Sequence, residues 1–267
     1  MVNKTLWISV TVFVVLAVLF AFTDLPIMQV YADPGSGWGH FMQAYGQLPG
    51  MLVGFLGSSI LLRQSKLGKS IKTITKTIGL LLITTLMALG FWGDALGMQV
   101  DSEINIPVLV ILAIAMLICV QLLFRRIPDE TMQKFKAFGQ VAVLLYVLAG
   151  LITVWGIKIP WGRWTYRDML EVGDLSLYTP WYLPQGVNGH HSFISGHTAF
   201  SFCVLPVVLL LRGNQKQYRL AWILAVTWGL LGALSRVAIG AHFPSDVLFG
   251  GGQTLLWFWI LRKRILK

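Results

Sequence analysis

Eight apolar stretches without a charged residue divide this chain, at 5–23, 43–62, 77–93, 104–124, 137–157, 197–211, 220–235 and 247–261. A helix needs about 20 such residues to cross a bilayer, where every backbone N–H and C=O must find its partner inside the segment. The stretches approach that length, and the shorter ones reach it by drawing in flanking polar residues. They are continuously apolar, with no alternation of period two, so helices are expected and a β-barrel is not. Of the 267 residues 56% are hydrophobic and 12% charged, against about 25% charged in a soluble domain. The expectation is an all-α, polytopic transmembrane helix bundle of about eight spans. It is expected to form a single integral membrane domain over residues 1–267, with N-terminal spans in 1–136 and a C-terminal region in 137–267.

Charge orients the bundle. With the N-terminus in the cytoplasm and an even number of spans, both termini lie inside. Cytoplasmic segments then hold Lys4 and the basic blocks at 63–76, 125–136, 212–219 and 262–267. These include Lys66, Lys69 and Lys267, and the pattern obeys the positive-inside rule. The exceptions among the 21 lysines and arginines are Lys158, Arg163, Arg167 and Arg236. Most acids go the other way, Asp24, Asp33, Asp94, Asp101, Glu103 and Asp246 among them. The formal net charge of +10 sits in blocks beside apolar segments and belongs to no RNA- or DNA-binding motif, so nucleic acid is not an expected partner. The first span has a basic start but no small-x-small cleavage site after it, and reads as a retained signal anchor. The expected location is the cell (inner or plasma) membrane. Cys119 and Cys203 fall inside apolar runs and imply no disulfide framework.

The four outer cations gather in three segments that also hold histidines. Ser235-Arg236 closes one apolar run, and His242-Phe243-Pro244-Ser245-Asp246 opens the next. Pro244 suits the first turn of a helix, and Asp246 in that turn suits the helix dipole. From there a carboxylate reaches back to one imidazole nitrogen of His242, fixes the tautomer, and leaves the other nitrogen free to attack. A helix cap beside an interfacial histidine is the plainer alternative. Arg236 is either a snorkelling interfacial arginine or a fork for two phosphoryl oxygens. Ser195-Gly196-His197 starts a helix whose backbone N–H groups suit an anion; a plain serine N-cap is the alternative, and both roles are compatible. His197 then lies where a leaving oxygen needs a proton. Lys158, Arg163 and Arg167 surround a glycine-containing turn and suit a dianionic phosphate on the outer face. His190 and His191 lack zinc-ligand spacing, so no metal and no cofactor is expected. Trp155, Trp161, Trp164, Tyr166, Trp181 and Tyr182 read as an aromatic belt at the outer interface. Gly250-Gly251-Gly252 reads as a site of close helix packing.

Taken together, the segments resemble the type 2 phosphatidic acid phosphatase (PAP2) superfamily, whose signature runs K-x6-R-P, P-S-G-H and S-R-x5-H-x3-D. The third element is matched at Ser235, Arg236, His242 and Asp246. The second is matched at Ser195, Gly196 and His197, with Ile194 in place of proline. In the first, Lys158 fits, but Thr165 and Tyr166 stand where arginine and proline are usual, flanked by Arg163 and Arg167. The resemblance implies a six-helix core and a metal-independent lipid-phosphate phosphatase at the membrane. It implies His242 as nucleophile through a phosphohistidine, Asp246 as its orienting partner and His197 as the acid. Lys158, Ser195, Gly196 and Arg236 would hold phosphate oxygens, with Arg163 or Arg167 supplying the charge missing at Thr165. The family core has three spans before its first motif and this chain has five, so an extra pair is expected within 1–136. Undecaprenyl pyrophosphate, phosphatidic acid, phosphatidylglycerol phosphate and diacylglycerol pyrophosphate are the candidate substrates. A serine hydrolase built on Ser195 and His242, and a lipid-phosphate binding or transport protein without chemistry, are the alternatives.

Overall fold

The computed structural model describes residues 4–65, 70–96 and 105–266. Lys66, Lys69, Asp101, Glu103 and Lys267, which enter the topology argument, lie outside the described residues. Among those described, all regular structure is helical. The order is α1 (Lys4–Tyr31), α2 (Gly37–Tyr45), α3 (Leu48–Gln64), α4 (Ile71–Ala95), α5 (Ile106–Arg125), α6 (Asp129–Lys134) and α7 (Lys136–Leu145). A π-helical segment (Tyr146–Thr153) then leads into α8 (Val154–Trp161) and α9 (Tyr166–Val172). After a 3₁₀ turn (Leu175–Leu177) come α10 (Gly196–Phe202), a second 3₁₀ stretch (Leu205–Leu211), α11 (Gln215–Ala238) and α12 (Pro244–Ile265).

Each apolar stretch became helical, but not as eight equivalent spans. Among the described residues, six segments are long and apolar enough to cross a membrane: Trp7–Tyr31, Gly37–Gln64, Ile71–Ala95, Ile106–Arg125, Lys136–Val172 and Gln215–Ala238. Gly196–Leu211 is a shorter apolar helix, broken where Cys203 and Val204 hand over from α10 to 3₁₀ geometry. The fifth stretch is interrupted by its π segment, where the Thr153 hydroxyl donates to the Leu148 carbonyl at 2.7 Å and accepts from the Trp257 indole at 3.0 Å. Apolar side chains such as Val12, Phe22, Ile111 and Ile118 stand exposed on the outside of the bundle. That surface suits hydrocarbon and not water.

Two packing layers follow. Met51, Phe55, Met87, Ala88, Ala113 and Tyr146 form a core in which α4 and α5 lean on α3. The second layer gathers α10, α11 and α12 with Val141, Leu145 and Ala149. The first helix joins this second group. Phe13 lies against Gly252, where a Cβ would come within 2.5 Å of the ring, and the Ala17 carbonyl accepts from the Trp181 indole at 2.9 Å. The three consecutive glycines of α12 serve three neighbours: Gly250 the Ser195 carbonyl, Gly251 the Phe202 ring, Gly252 the Phe13 ring. The aromatic residues expected as an interfacial belt divide. Trp155 and Tyr182 are exposed, whereas Trp161 and Trp181 pack on Phe193, and Tyr166 is buried with Met28, Met169 and Phe243.

Candidate active site

Helix α8 ends at Gly162, whose φ of 61° reverses the chain where a Cβ would meet the Gly186 carbonyl at 2.1 Å. The reversal turns Arg163 inward, and its side chain is 1% exposed. The guanidinium binds the Thr179 carbonyl through Nε at 2.8 Å, and Asp246 Oδ1 at 2.6 Å and Ser245 Oγ at 2.9 Å through Nη1. Nη2 binds Asp24 Oδ2 at 2.9 Å. Its plane lies over the Phe243 ring at 4.1 Å. Arg163 was expected among the phosphate ligands; it is instead paired to two buried carboxylates. Thr165, at the family's arginine position, caps α9 by accepting from the Asp168 N–H at 3.0 Å.

Asp246 follows Phe243 and Pro244 in the first turn of α12. Its Oδ2 accepts from the Ser192 hydroxyl at 2.5 Å and from the Phe243 N–H at 2.9 Å. The same oxygen is 3.6 Å from His242 Nδ1, longer than a formed hydrogen bond, though catalytic hydrogen bonds commonly close up only around substrate. With Nδ1 turned to the carboxylate, Nε2 lies on the opposite edge of the ring. His242 itself is fixed from α11, since the Ala241 and His242 N–H groups both donate to the Arg236 carbonyl at 3.0 and 3.1 Å. Burial pushes the His242 imidazole down to about 4; the charges of Lys158 and Arg236 push the same way, and Asp246 opposes them. A ring of that kind is neutral, and therefore nucleophilic, near neutral pH.

Arg236 is 4% exposed, and its Nε and Nη1 have no hydrogen-bond partner among the described residues. A buried guanidinium left open is costly unless an anion completes it. Arg167 lies within electrostatic reach of it, and the Arg167 N–H donates to the Gly240 carbonyl at 2.9 Å, joining α9 to the His242 loop. Lys158 at the end of α8 is partly buried, its ammonium 5.9 Å from the Trp155 ring.

Ser195 caps α10, its Oγ accepting from the Thr198 N–H at 3.3 Å, while its own N–H donates to the Asp246 carbonyl at 3.0 Å. That bond fixes the start of α10, with Gly196 and His197, against the start of α12. His197 lies within electrostatic reach of His242, Arg236 and Lys158. The three motif segments therefore converge at one end of the bundle. His190 stacks on Trp164 at 3.4 Å. Among the described residues no three His, Cys, Asp or Glu side chains converge as metal ligands.

Three participants escaped the sequence reading. Ser192 and Ser245 are small hydroxyl residues with no motif of their own. Asp24 falls just past the first apolar stretch, 5–23, among the acids expected on the outer side, but α1 continues to Tyr31 through Pro26, so this aspartate lies inside the helix and is fully buried. An acid inside an otherwise apolar span was the available signal.

The PAP2 superfamily model matches residues 139–267. Among curated proteins, lipid A 4'-phosphatase of Francisella tularensis subsp. novicida (strain U112) is 30% identical over 128 residues, 47% of this chain and 57% of that protein. Phosphatidylglycerophosphatase B of Bacillus subtilis (strain 168) is 36% identical over 76 residues, 27% of this chain and 37% of the relative. The chain thus spans little more than half of the first and about a third of the second. No solved structure matches it. Motifs, convergent geometry and family match agree: residues 139–267 of this chain are similar to the PAP2 superfamily.

Proposed function

We propose that this protein is a multi-pass membrane phosphatase that removes phosphate from a lipid phosphomonoester or pyrophosphate without a metal ion. The observation behind this reading is the open, buried guanidinium of Arg236 beside the neutral ring of His242. Fixed cations do there what a divalent ion does in kinases: they stabilise charge developing on the equatorial oxygens. Arg236, Lys158 and Arg167 hold the phosphoryl group, aided by the Ser195 and Gly196 end of α10. His242 Nε2 attacks phosphorus while the bond to the leaving oxygen breaks, and His197 gives that oxygen its proton. Asp246 stabilises the positive charge that develops on the phosphorylated imidazole. Water, passing a proton back to His197, then attacks phosphorus, the P–N bond breaks, inorganic phosphate leaves, and both His242 and His197 are restored.

A cleft of about 910 Å³ between α1, α11 and α12 suits the lipid tail. It is lined by Phe13, Leu16, Phe20, Leu234 and Leu255 and bordered by Pro244, two residues from His242. The charge asymmetry supports a site on the outer side with both termini in the cytoplasm. The names of the two relatives make a phosphorylated glycolipid and phosphatidylglycerol phosphate the first substrates to try, with prenyl pyrophosphates and phosphatidic acid after them. The test is phosphate release from this panel with EDTA present. Release by the wild-type protein and none by His242→Ala is expected. Silence on every lipid would refute the reading.

A further inference from the structure

We infer that Asp24, inside the first membrane helix, is a positioning residue for phosphoryl transfer that acts on His242 through Arg163 and Asp246. This rests on the phosphatase reading above. The first helix lies outside the matched family region, yet its single buried acid is tied to the catalytic end of α12 at several points. Asp24 Oδ1 accepts from the Ser245 N–H at 2.9 Å, Oδ2 accepts from the Ser245 hydroxyl, and Arg163 Nη2 bonds to the same oxygen at 2.9 Å. Asp24 thus caps the first turn of α12 from another helix, satisfying an N–H that the helix cannot satisfy itself. That turn holds Asp246 and ends the His242 loop.

Charge explains why one guanidinium faces two carboxylates. Asp24, Arg163 and Asp246 are each almost wholly buried, where an uncompensated ion is expensive. A pair made of Arg163 and Asp246 alone would be neutral, and Arg163 would cancel most of the field that Asp246 exerts on His242. With Asp24 sharing the guanidinium, the triad keeps one net negative charge. That charge faces an imidazole that turns positive when it is phosphorylated, amid the cations Lys158, Arg236 and Arg167. The surplus favours the charged intermediate over the neutral ground state, so it acts on turnover and not on binding. The geometry is rigid: the Arg163 fork is also held by the Thr179 carbonyl and the Phe243 ring.

The test is steady-state kinetics of the full chain on whichever lipid phosphate the wild type hydrolyses, normalised to monodisperse protein. Asp24→Asn keeps the shape and removes the charge. It should lower kcat at least about tenfold and change KM less than about threefold. Asp24→Glu, which restores the charge, should recover a substantial part of kcat. Trp181→Phe removes the uncharged tie between the Trp181 indole and the Ala17 carbonyl of the same helix, and should leave kcat near wild type. If Asp24→Asn does not accumulate, Asp24→Thr, which also removes the charge but keeps a hydroxyl, stands in, with the same loss of kcat at constant KM expected. The inference is overturned if the substituted proteins keep wild-type kcat, if KM alone rises, or if Trp181→Phe loses as much as Asp24→Asn, since Asp24 would then only fasten a helix. A silent wild-type protein sinks the phosphatase reading and this one with it. An active wild type with an unaffected Asp24→Asn sinks this one alone.

Discussion

Replacing Arg163 by methionine separates its two possible roles. Methionine keeps much of the side chain's volume and removes the charge that lies between Asp24 and Asp246. Each carboxylate retains other donors: Asp24 keeps the Ser245 N–H and hydroxyl, and Asp246 keeps Ser192 and the Phe243 N–H. The loss is therefore well short of burying bare ions, and falls at about 3–5 kcal/mol, the cost of removing one partner from a buried ion pair. At ~2–4 °C per kcal/mol for a chain of this size, the thermal midpoint should drop by roughly 10 °C. Thermal unfolding in detergent, followed by tryptophan fluorescence, measures it. Combining Arg163→Met with Asp24→Asn removes one stranded carboxylate and should recover about 1–3 kcal/mol relative to additivity. Were Arg163 a phosphate ligand, as its place beside Thr165 suggests, Arg163→Met would raise KM and leave the midpoint where it was. A midpoint within ~2 °C of wild type, with additive double-variant energetics, would refute the ion-pair account.

Arg236→Gln has the opposite profile: removing a buried guanidinium whose Nε and Nη1 are open should hold or raise the thermal midpoint while lowering kcat/KM by about 10²-fold or more. A pH profile tests the His242 environment. Burial holds this imidazole at about 4, against an ordinary value of 6.5, so the neutral nucleophile should persist as pH falls, and the acid limb of kcat/KM should lie well below 6.5. The same shift means the unfolded chain takes up a proton that the folded chain refuses, so the stability contribution falls between pH 6.5 and about 4 and changes no further below that. Gly250→Ala should destabilise by about 1–3 kcal/mol, because its Cβ would come within 2.5 Å of the backbone carbonyl of Ser195, and it should disturb activity by prising α10 from α12. Gly156→Ala, with nothing within 4 Å, is the matched control.

Much of the fold was legible because a bilayer admits few solutions. Uninterrupted apolar runs had to become helices, and each did. What the runs did not reveal was local irregularity: the π segment at Tyr146–Thr153 is tied to Trp257 of another helix, whereas for the 3₁₀ stretch of Leu205–Leu211 the proline in its first turn, Pro206, was the available signal. At the site, the spacing from Arg236 to His242 to Asp246 was readable since one turn and one helix start bring those residues together. The Gly250–Gly252 run was read as close packing, and each glycine has its own close neighbour. Arg163 was misplaced because a sequence shows how many cations a segment holds, not which of them is already neutralised. Its partner Asp24 lies 139 residues away, and the helix that holds it was ended too early, at the first polar residues after the apolar run. The cations of the motif segments prove unequal: Arg163 is paired internally, and Arg236 is open.

The central claim is that His242 takes the phosphoryl group. The direct measurement is rapid acid-free quenching of the protein with a lipid phosphate labelled in its phosphorus, followed by peptide mapping. The account predicts a base-stable, acid-labile phosphate on His242 that is absent from His242→Ala and that forms as fast as the lipid is consumed. Lipid consumed with no label on His242, or label on Ser195, would contradict it.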